Sequence, residues 1–444
     1  MSKSSFAVAA AFAWLAAACS LAQHEGHVPE PTPTPTPPAS HVARSGGEHG
    51  SSAPTLFQSD MARMNGMLPD DPMGSMPMPG WHLMDLGVAR LAFNGQGGPS
   101  GRKGTESSNW NMIHAQHDLW GGRLSLMLMN SLEPATFPQR GSAELFQTGE
   151  AYRGEPLVDR QHPHDFFMNL SATWRRQVAE SSALWIQLAP VGEPALGPTA
   201  FMHRASAGEN PTAPLGHHWQ DSTHIAFDVI TAGWGWKALS IEGSVFHGAE
   251  PDEHRWGIES GKLDSASGRV WLRFSNGWSG QVSYGFLKNP EALEPGDLRR
   301  VTASVSYGAE GDRPFAATLL WGRNDEEHGT STAWLLEGAW QATRLDQAYV
   351  RFEYVQKEYE LLVFKGHPSE PEPDLPRIAN VFAATAGYLR DFELVSGLQT
   401  GLGADVTVYS FPSSLKAVYG DFPVSGHFFL RLRWRAAAGG RHSM

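Results

Sequence analysis

One cysteine, Cys19, stands in a chain of 444 residues, so no intramolecular disulfide is possible. Long apolar runs are also missing. The longest, Phe6 to Ala18, is thirteen residues, well short of the roughly 20 that a membrane-spanning helix needs. Positive charge is scarce, with 34 Lys and Arg against 46 Asp and Glu, a net charge of -12. With no basic run as well, nucleic acid is excluded as a partner. No internal repeat of propeller-blade length is visible.

What is present between Trp81 and Arg435 is a series of short segments with apolar residues at every second position, the period of a strand with two unlike faces. They fall near 81 to 92, 107 to 118, 122 to 132, 164 to 178, 182 to 190, 222 to 231, 236 to 247 and 267 to 275. Eight more follow near 278 to 287, 298 to 308, 313 to 323, 331 to 341, 345 to 356, 378 to 390, 395 to 409 and 426 to 435. Their connections alternate. The long ones, 93 to 106, 133 to 163, 191 to 221, 248 to 266, 288 to 297, 357 to 377 and 410 to 425, with a shorter one at 324 to 330, all follow an odd strand. The others are brief turns, such as Trp120-Gly121-Gly122, Glu180-Ser181-Ser182, Gly233-Trp234-Gly235 and Asn276-Gly277.

Tight turns on one rim and long loops on the other mark a transmembrane antiparallel β-barrel. The expectation is an all-β chain of about 16 strands, within a range of 12 to 18. Its termini lie on the periplasmic side, and outer-membrane lipid is its surrounding partner. In the fourth strand Phe166, Met168, Leu170, Ala172 and Trp174 are assigned to lipid. In the last, Phe428, Leu430, Leu432 and Trp434 face out, and Phe429, Arg431, Arg433 and Arg435 face in. Three arginines on one face suit a wet lumen and not a dry core. Trp120, Trp174, Trp234, Trp236, Trp278 and Trp340 fall near the predicted short turns, where an interfacial girdle belongs.

Residues 1-22 read as a secretory signal peptide; removal after Ala22 would take Cys19 away. The alternative is a lipoprotein box, Leu15 to Cys19, in which the cysteine is retained and lipidated. Residues 23-59 form a disordered Pro, Thr and His linker with the character of an extended spacer. The barrel is assigned to 81-436 and a short tail to 437-444.

Residues 60-80 are a Met-rich segment. Met61, Met64, Met67, Met73, Met76, Met78 and Met84 place seven of the fourteen methionines within 24 residues, beside His82 and downstream of His24 and His27. Thioethers select Cu(I), while imidazole also accepts Cu(II) and Zn, so these residues are candidate metal ligands and copper is the implied ion. The competing reading is that Met61, Met64 and Met67, at helical spacing, fill an apolar stripe.

Two long loops concentrate histidine. The loop 133 to 163 leads into His162, His164 and Asp165; the loop 191 to 221 carries His203, Arg204, His217, His218 and Asp221, with His224 just beyond. The second is the third outer loop, the one that folds inward in general porins, which this layout resembles. Turned inward, these nine residues would line the pore mouth, where they could pin the loop, filter permeants or hold a metal ion with Asp as orienting group. Neither loop has a compact metal-motif spacing.

The stretches Gln161-His162-Pro163-His164-Asp165, Pro198-Thr199-Ala200-Phe201-Met202-His203-Arg204 and Gly216-His217-His218-Trp219-Gln220-Asp221-Ser222-Thr223-His224 resemble those of a family of Gram-negative outer-membrane β-barrel proteins. So do Gly243-Ser244-Val245-Phe246-His247-Gly248 with Glu250-Pro251-Asp252-Glu253, and Pro423-Val424-Ser425-Gly426. Members are often encoded with copper or heavy-metal resistance functions, and no activity is assigned to the family. The tail is similar in plan to that of copper-resistance outer-membrane proteins. The resemblance implies a barrel that binds or passes metal ions, copper foremost, with the tail as a periplasmic collector and a homo-oligomer as one available assembly. A general porin for small solutes without metal dependence is the alternative. A barrel-borne hydrolase is a third reading, since Asp221, Ser222 and His224 are close in sequence. Neighbouring strand residues point to opposite faces, however, so no enzyme is expected.

Overall fold

A period-two chain buries one face of each strand and leaves the other outside. A sheet closed on itself removes the unpaired edges that lipid could not tolerate. The computed structural model describes residues 80–274, 276–309, 311–364, 376–395 and 397–438. The signal peptide, the linker, the Met-rich segment and most of the C-terminal tail lie outside the described residues.

Nineteen strands run in chain order: β1 His82–Gly95, β2 Lys103–Glu106, β3 Asn109–Leu119, β4 Gly122–Asn130, β5 Ser142–Tyr152, β6 Glu155–Gln161, β7 Phe167–Ala179, β8 Ser182–Gly192, β9 Ala226–Trp236 and β10 Leu239–His247. The remainder are β11 Ser265–Arg273, β12 Trp278–Leu287, β13 Leu298–Ala309, β14 Phe315–Glu326, β15 Gly329–Gln341, β16 Asp346–Glu358, β17 Ile378–Val395, β18 Leu398–Ser410 and β19 Val424–Ala438. Sixteen of them form the wall, each antiparallel to the next, and β19 closes on β1. The short β2 continues the pairing of β1 above β3, and β5 with β6 forms a separate hairpin inside one loop. This is the expected closed antiparallel barrel of 16 strands.

Loops of unlike length lie on the two rims. The long side carries L1 (96–108), L2 (131–166), L3 (193–225), L4 (248–264), L5 (288–297), L6 (327–328), L7 (359–377) and L8 (411–423). On the other rim Trp120 and Gly121 turn with φ of 54° and 70°, the mirror-image turn that matches strand twist. Trp120, Trp234, Trp236, Trp278 and Trp340 are exposed around this rim, and Trp174 anchors its indole on the Leu119 carbonyl at 3.0 Å. Between the rims Leu188, Val282, Val305, Leu336, Phe352 and Phe428 face outward, while Arg300, Glu337, Arg351 and Arg431 point in and are buried.

Two expectations need correction. Met168 faces the lumen, where it is 2% exposed. Asn130 pairs with Phe167 and Met129 with Asn169, so Met168 is an extra residue in a bulge that flips the alternation, and Phe166 precedes the strand. Gly233-Trp234-Gly235 is not a turn: β9 runs through it and reverses at Lys237 and Ala238, with Lys237 at φ 51°. Gly233 is needed because the Trp185 indole of β8 lies across it, and a Cβ there would come within 2.1 Å of the ring.

A charge on the outward face tests this geometry. Leu188→Arg, in the middle of β8, is expected to cost about 2–4 kcal/mol in unfolding from liposomes. A neutral effect would contradict burial of that face in lipid.

Candidate functional site

L3 does not stop at the rim. Nearly every residue from Pro194 to Ile225 is buried, and the loop crosses to strands that are distant around the wall. Arg204 donates to Glu337 of β15 at 2.7 Å and to Asp221 of its own loop at 2.6 Å. Glu209 accepts from Arg431 and Arg433 of β19 at 2.6 and 2.7 Å, and Glu193 from Arg269 of β11 at 3.0 Å. The Leu215 amide donates to Glu353 of β16 at 2.6 Å, and the Trp219 indole to Ser331 of β15 at 2.7 Å. L2 and L4 close over it: Arg255 binds Asp165 at 3.0 Å and also pairs with Glu150.

Inside this frame L2 and L3 bring five imidazoles together. His162 and His164 come from the end of L2, His217 and His218 from the helical turn His217–Gln220, and His224 from the turn Ser222–His224. Ring centroids are separated by 5.5 Å for His162 and His218, 5.3 Å for His217 and His218, 5.3 Å for His217 and His224, and 5.4 Å for His164 and His224. None of the five is more than 9% exposed.

Four of the rings have one nitrogen hydrogen-bonded or paired, and in His218 neither nitrogen is hydrogen-bonded. His217 Nδ1 donates to Asp221 Oδ1 at 2.7 Å, His224 Nδ1 to the Asp221 carbonyl at 2.7 Å and His164 Nδ1 to Glu133 Oε2 at 2.8 Å. His162 Nδ1 lies 3.2 Å from Glu150 Oε1, and His218 Nδ1 lies 3.5 Å from Glu250 Oε2. The Nε2 atom of all five is buried without a hydrogen-bond partner. One ligand atom from each of His162, His217 and His218 lies within 4.8 Å of the others. Gly149, at φ 127°, seats His218; a Cβ there would stand 2.2 Å from Nε2.

Burial holds the His162, His217 and His224 imidazoles below their ordinary range; Arg255 reinforces this for His162, while Asp221 opposes it for His217. Arg204 and His217 overcome burial and hold Asp221 low. Burial thus disfavours charging of His162, His217 and His224, and the rings stand beside carboxylates in the pattern of histidine ligands oriented by an outer acidic shell.

The nine loop residues thus separate into groups. His162, His164, His217, His218, His224 and Asp221 are gathered. His203 stands aside, edge-on to Trp110 of β3 at 4.8 Å, and burial lowers its pKa to about 3. Arg204 and Asp165 act as loop pins. The expected pore-mouth lining is corrected: these groups are sealed inside, because L3 is tied to the far wall. Asp221, Ser222 and His224 form no relay, since Ser222 Oγ receives from Arg300 at 2.8 Å and donates to Glu250 at 3.1 Å. Of the tail candidates, His82 opens β1 and Met84 packs inward two residues later. Met61, Met64, Met67, Met73, Met76, Met78, His24 and His27 lie outside the described residues. Sequence reasoning missed Glu133, Glu150, Arg255 and Glu337, single charges whose partners are far along the chain.

No family model matches the chain, and no curated protein is similar to it in sequence. Solved structures do match. OprB of Pseudomonas putida is 10% identical with a TM-score of 0.51 over 81% of this chain and 94% of that one. The anion-selective porin from Comamonas acidovorans is 11% identical with a TM-score of 0.48 over 80% and 99%. The outer membrane channel DcaP of Acinetobacter baumannii is 8% identical, 0.45, over 80% and 96%. What is shared with OprB is the fold, a closed antiparallel outer-membrane barrel.

Arg204→Met leaves Asp221 buried without its cation and Glu337 with only the longer Arg351 contact at 3.4 Å, and is expected to cost about 3–5 kcal/mol in denaturant unfolding of the barrel. An effect below about 1 kcal/mol would dismiss the pinning role. The depressed imidazoles set a pH dependence. Unfolded, these histidines take up protons near the ordinary value of 6.5; folded, they resist. Stability is therefore complete above that value and falls with acidification from about pH 7 to about pH 5, measurable as a declining thermal midpoint. An unchanged midpoint would contradict it.

Proposed function

We propose that this chain is an outer-membrane channel protein whose loop-filled lumen binds transition-metal ions, copper foremost, in heavy-metal resistance or homeostasis. The reading is carried by five buried, clustered imidazoles whose Nε2 atoms have no hydrogen-bond partner. Imidazole suits copper and zinc. Three nitrogens on one tetrahedral ion stand about 3.4 Å apart, so the triad of His162, His217 and His218 reaches that spacing by small ring rotations. The short-turn rim is assigned to the periplasm. β1 begins and β19 ends on that rim, and in this reading the Met-rich segment 60-80, with His24 and His27 further upstream, serves as a periplasmic collector.

The second reading, a channel for small hydrophilic solutes without metal dependence, is favoured by the fold alone. Single-channel recording in planar bilayers separates the two. Added copper or zinc is expected to alter the conductance of the native protein reversibly, with chelator restoring it. The triple variant His162→Gln, His217→Gln, His218→Gln is expected to be unresponsive. A native conductance indifferent to copper, zinc and chelator would leave only the solute-channel reading.

A further inference from the structure

We propose a second, softer metal site in the barrel wall, built from the imidazole of His114 and the thioethers of Met84 and Met127, that takes a monovalent copper-class ion. It is separate from the loop histidines and uses none of them.

The first observation is where methionine occurs. Residues 80 to 438 contain six methionines, Met84, Met112, Met127, Met129, Met168 and Met202, and all six fall in one lumenal cluster. They come from four strands and L3, so sequence proximity does not explain the gathering. The second observation is register. Met84 of β1 is the direct partner of His114 of β3, and His114 is in turn the partner of Met127 of β4. The three side chains form a row across adjacent strands on the inward face, with Cβ atoms about 4.5–5.5 Å apart. The neighbouring row sets Met112 against Met129.

The third observation is the imidazole itself. His114 is 2% exposed, and its Nε2 is buried with no hydrogen-bond partner. Packing accounts for the methionines, which fill irregular gaps well. It does not account for a nitrogen lone pair placed among them, since an unsatisfied buried polar atom costs about 1–3 kcal/mol and leucine would fill the space without that cost. A metal ion satisfies the lone pair. Thioether sulfur selects Cu(I), and three neutral ligands suit a single positive charge. The chemistry assigned to the tail methionines thus recurs in a preformed site that starts at Met84, the last of that run.

The test uses the full-length protein in detergent under anaerobic, reducing conditions. Met61, Met64, Met67, Met73, Met76 and Met78 are replaced by leucine to silence the tail. Cu(I) is titrated against a chromophoric chelator, and zinc binding is measured in parallel. The expected result is saturable Cu(I) binding with sulfur scatterers in the copper X-ray absorption spectrum, weakened at least about tenfold, or roughly 1.4 kcal/mol, by His114→Gln or Met127→Leu. Met127→Leu is a volume-conserving change that keeps the barrel folded, so it decides the matter if the histidine variant does not insert. Undiminished Cu(I) affinity in Met127→Leu, or a copper environment of nitrogen alone, would overturn the site. Loss of zinc binding in His217→Gln with Cu(I) retained supports the wall site and assigns zinc to the loop cluster. Cu(I) retention with no zinc binding to the native loops defeats the loop reading and leaves the wall site standing.

Discussion

The structure depends on charged and polar contacts that tie the inner face of the wall to the loop filling it. An arginine on the inner face of a strand has no water-filled escape once a loop fills the space, and an unpaired buried charge there is prohibitive. Such cations are met by groups delivered from L3 and from the wall: Arg269 by Glu193 and Glu242, Arg300 by Asn324 and Ser222, Arg431 by Glu209 and Asp391. The loop so held leaves the Nε2 atoms of His162, His217 and His224 bare, since the hydrogen bonds that fix those rings fall on the other nitrogen. Rigidity comes from the charged pairs, and reactivity is left to the neutral groups.

Polar and apolar chemistry share the interior in two zones. The loop histidines are surrounded by carboxylates and guanidinium groups. Below them Phe201 lies edge-on to His217 and near-parallel to His164, and beyond Phe201 begins the apolar cluster of Met112, Met127, Met129, Met168 and Met202. One aromatic side chain therefore borders both the histidine cluster and the methionine cluster.

The sequence was readable wherever the physics is local. Strand positions follow from period two, and the identity of L3 follows from counting turns. The interior did not read out, because its partners are remote. Glu150 meets Arg255 and Glu209 meets Arg431 across 105 and 222 residues, and nothing near either glutamate announces the pairing. The Met168 bulge was illegible for another reason: a strand with an extra residue still looks alternating, and only the partner strand reveals the slip. The methionine cluster stayed hidden because positions 84, 114 and 127 form a row only once β1, β3 and β4 are paired.

The reach of L3 to β19 has a consequence for how the molecule is assembled. Arg431 and Arg433 sit on the last strand to be synthesised, and Glu209 binds both. The Glu209 anchor of the loop is therefore incomplete until the final strand of the barrel is in place. One carboxylate thus couples the seating of the third loop to the strand that completes the cylinder.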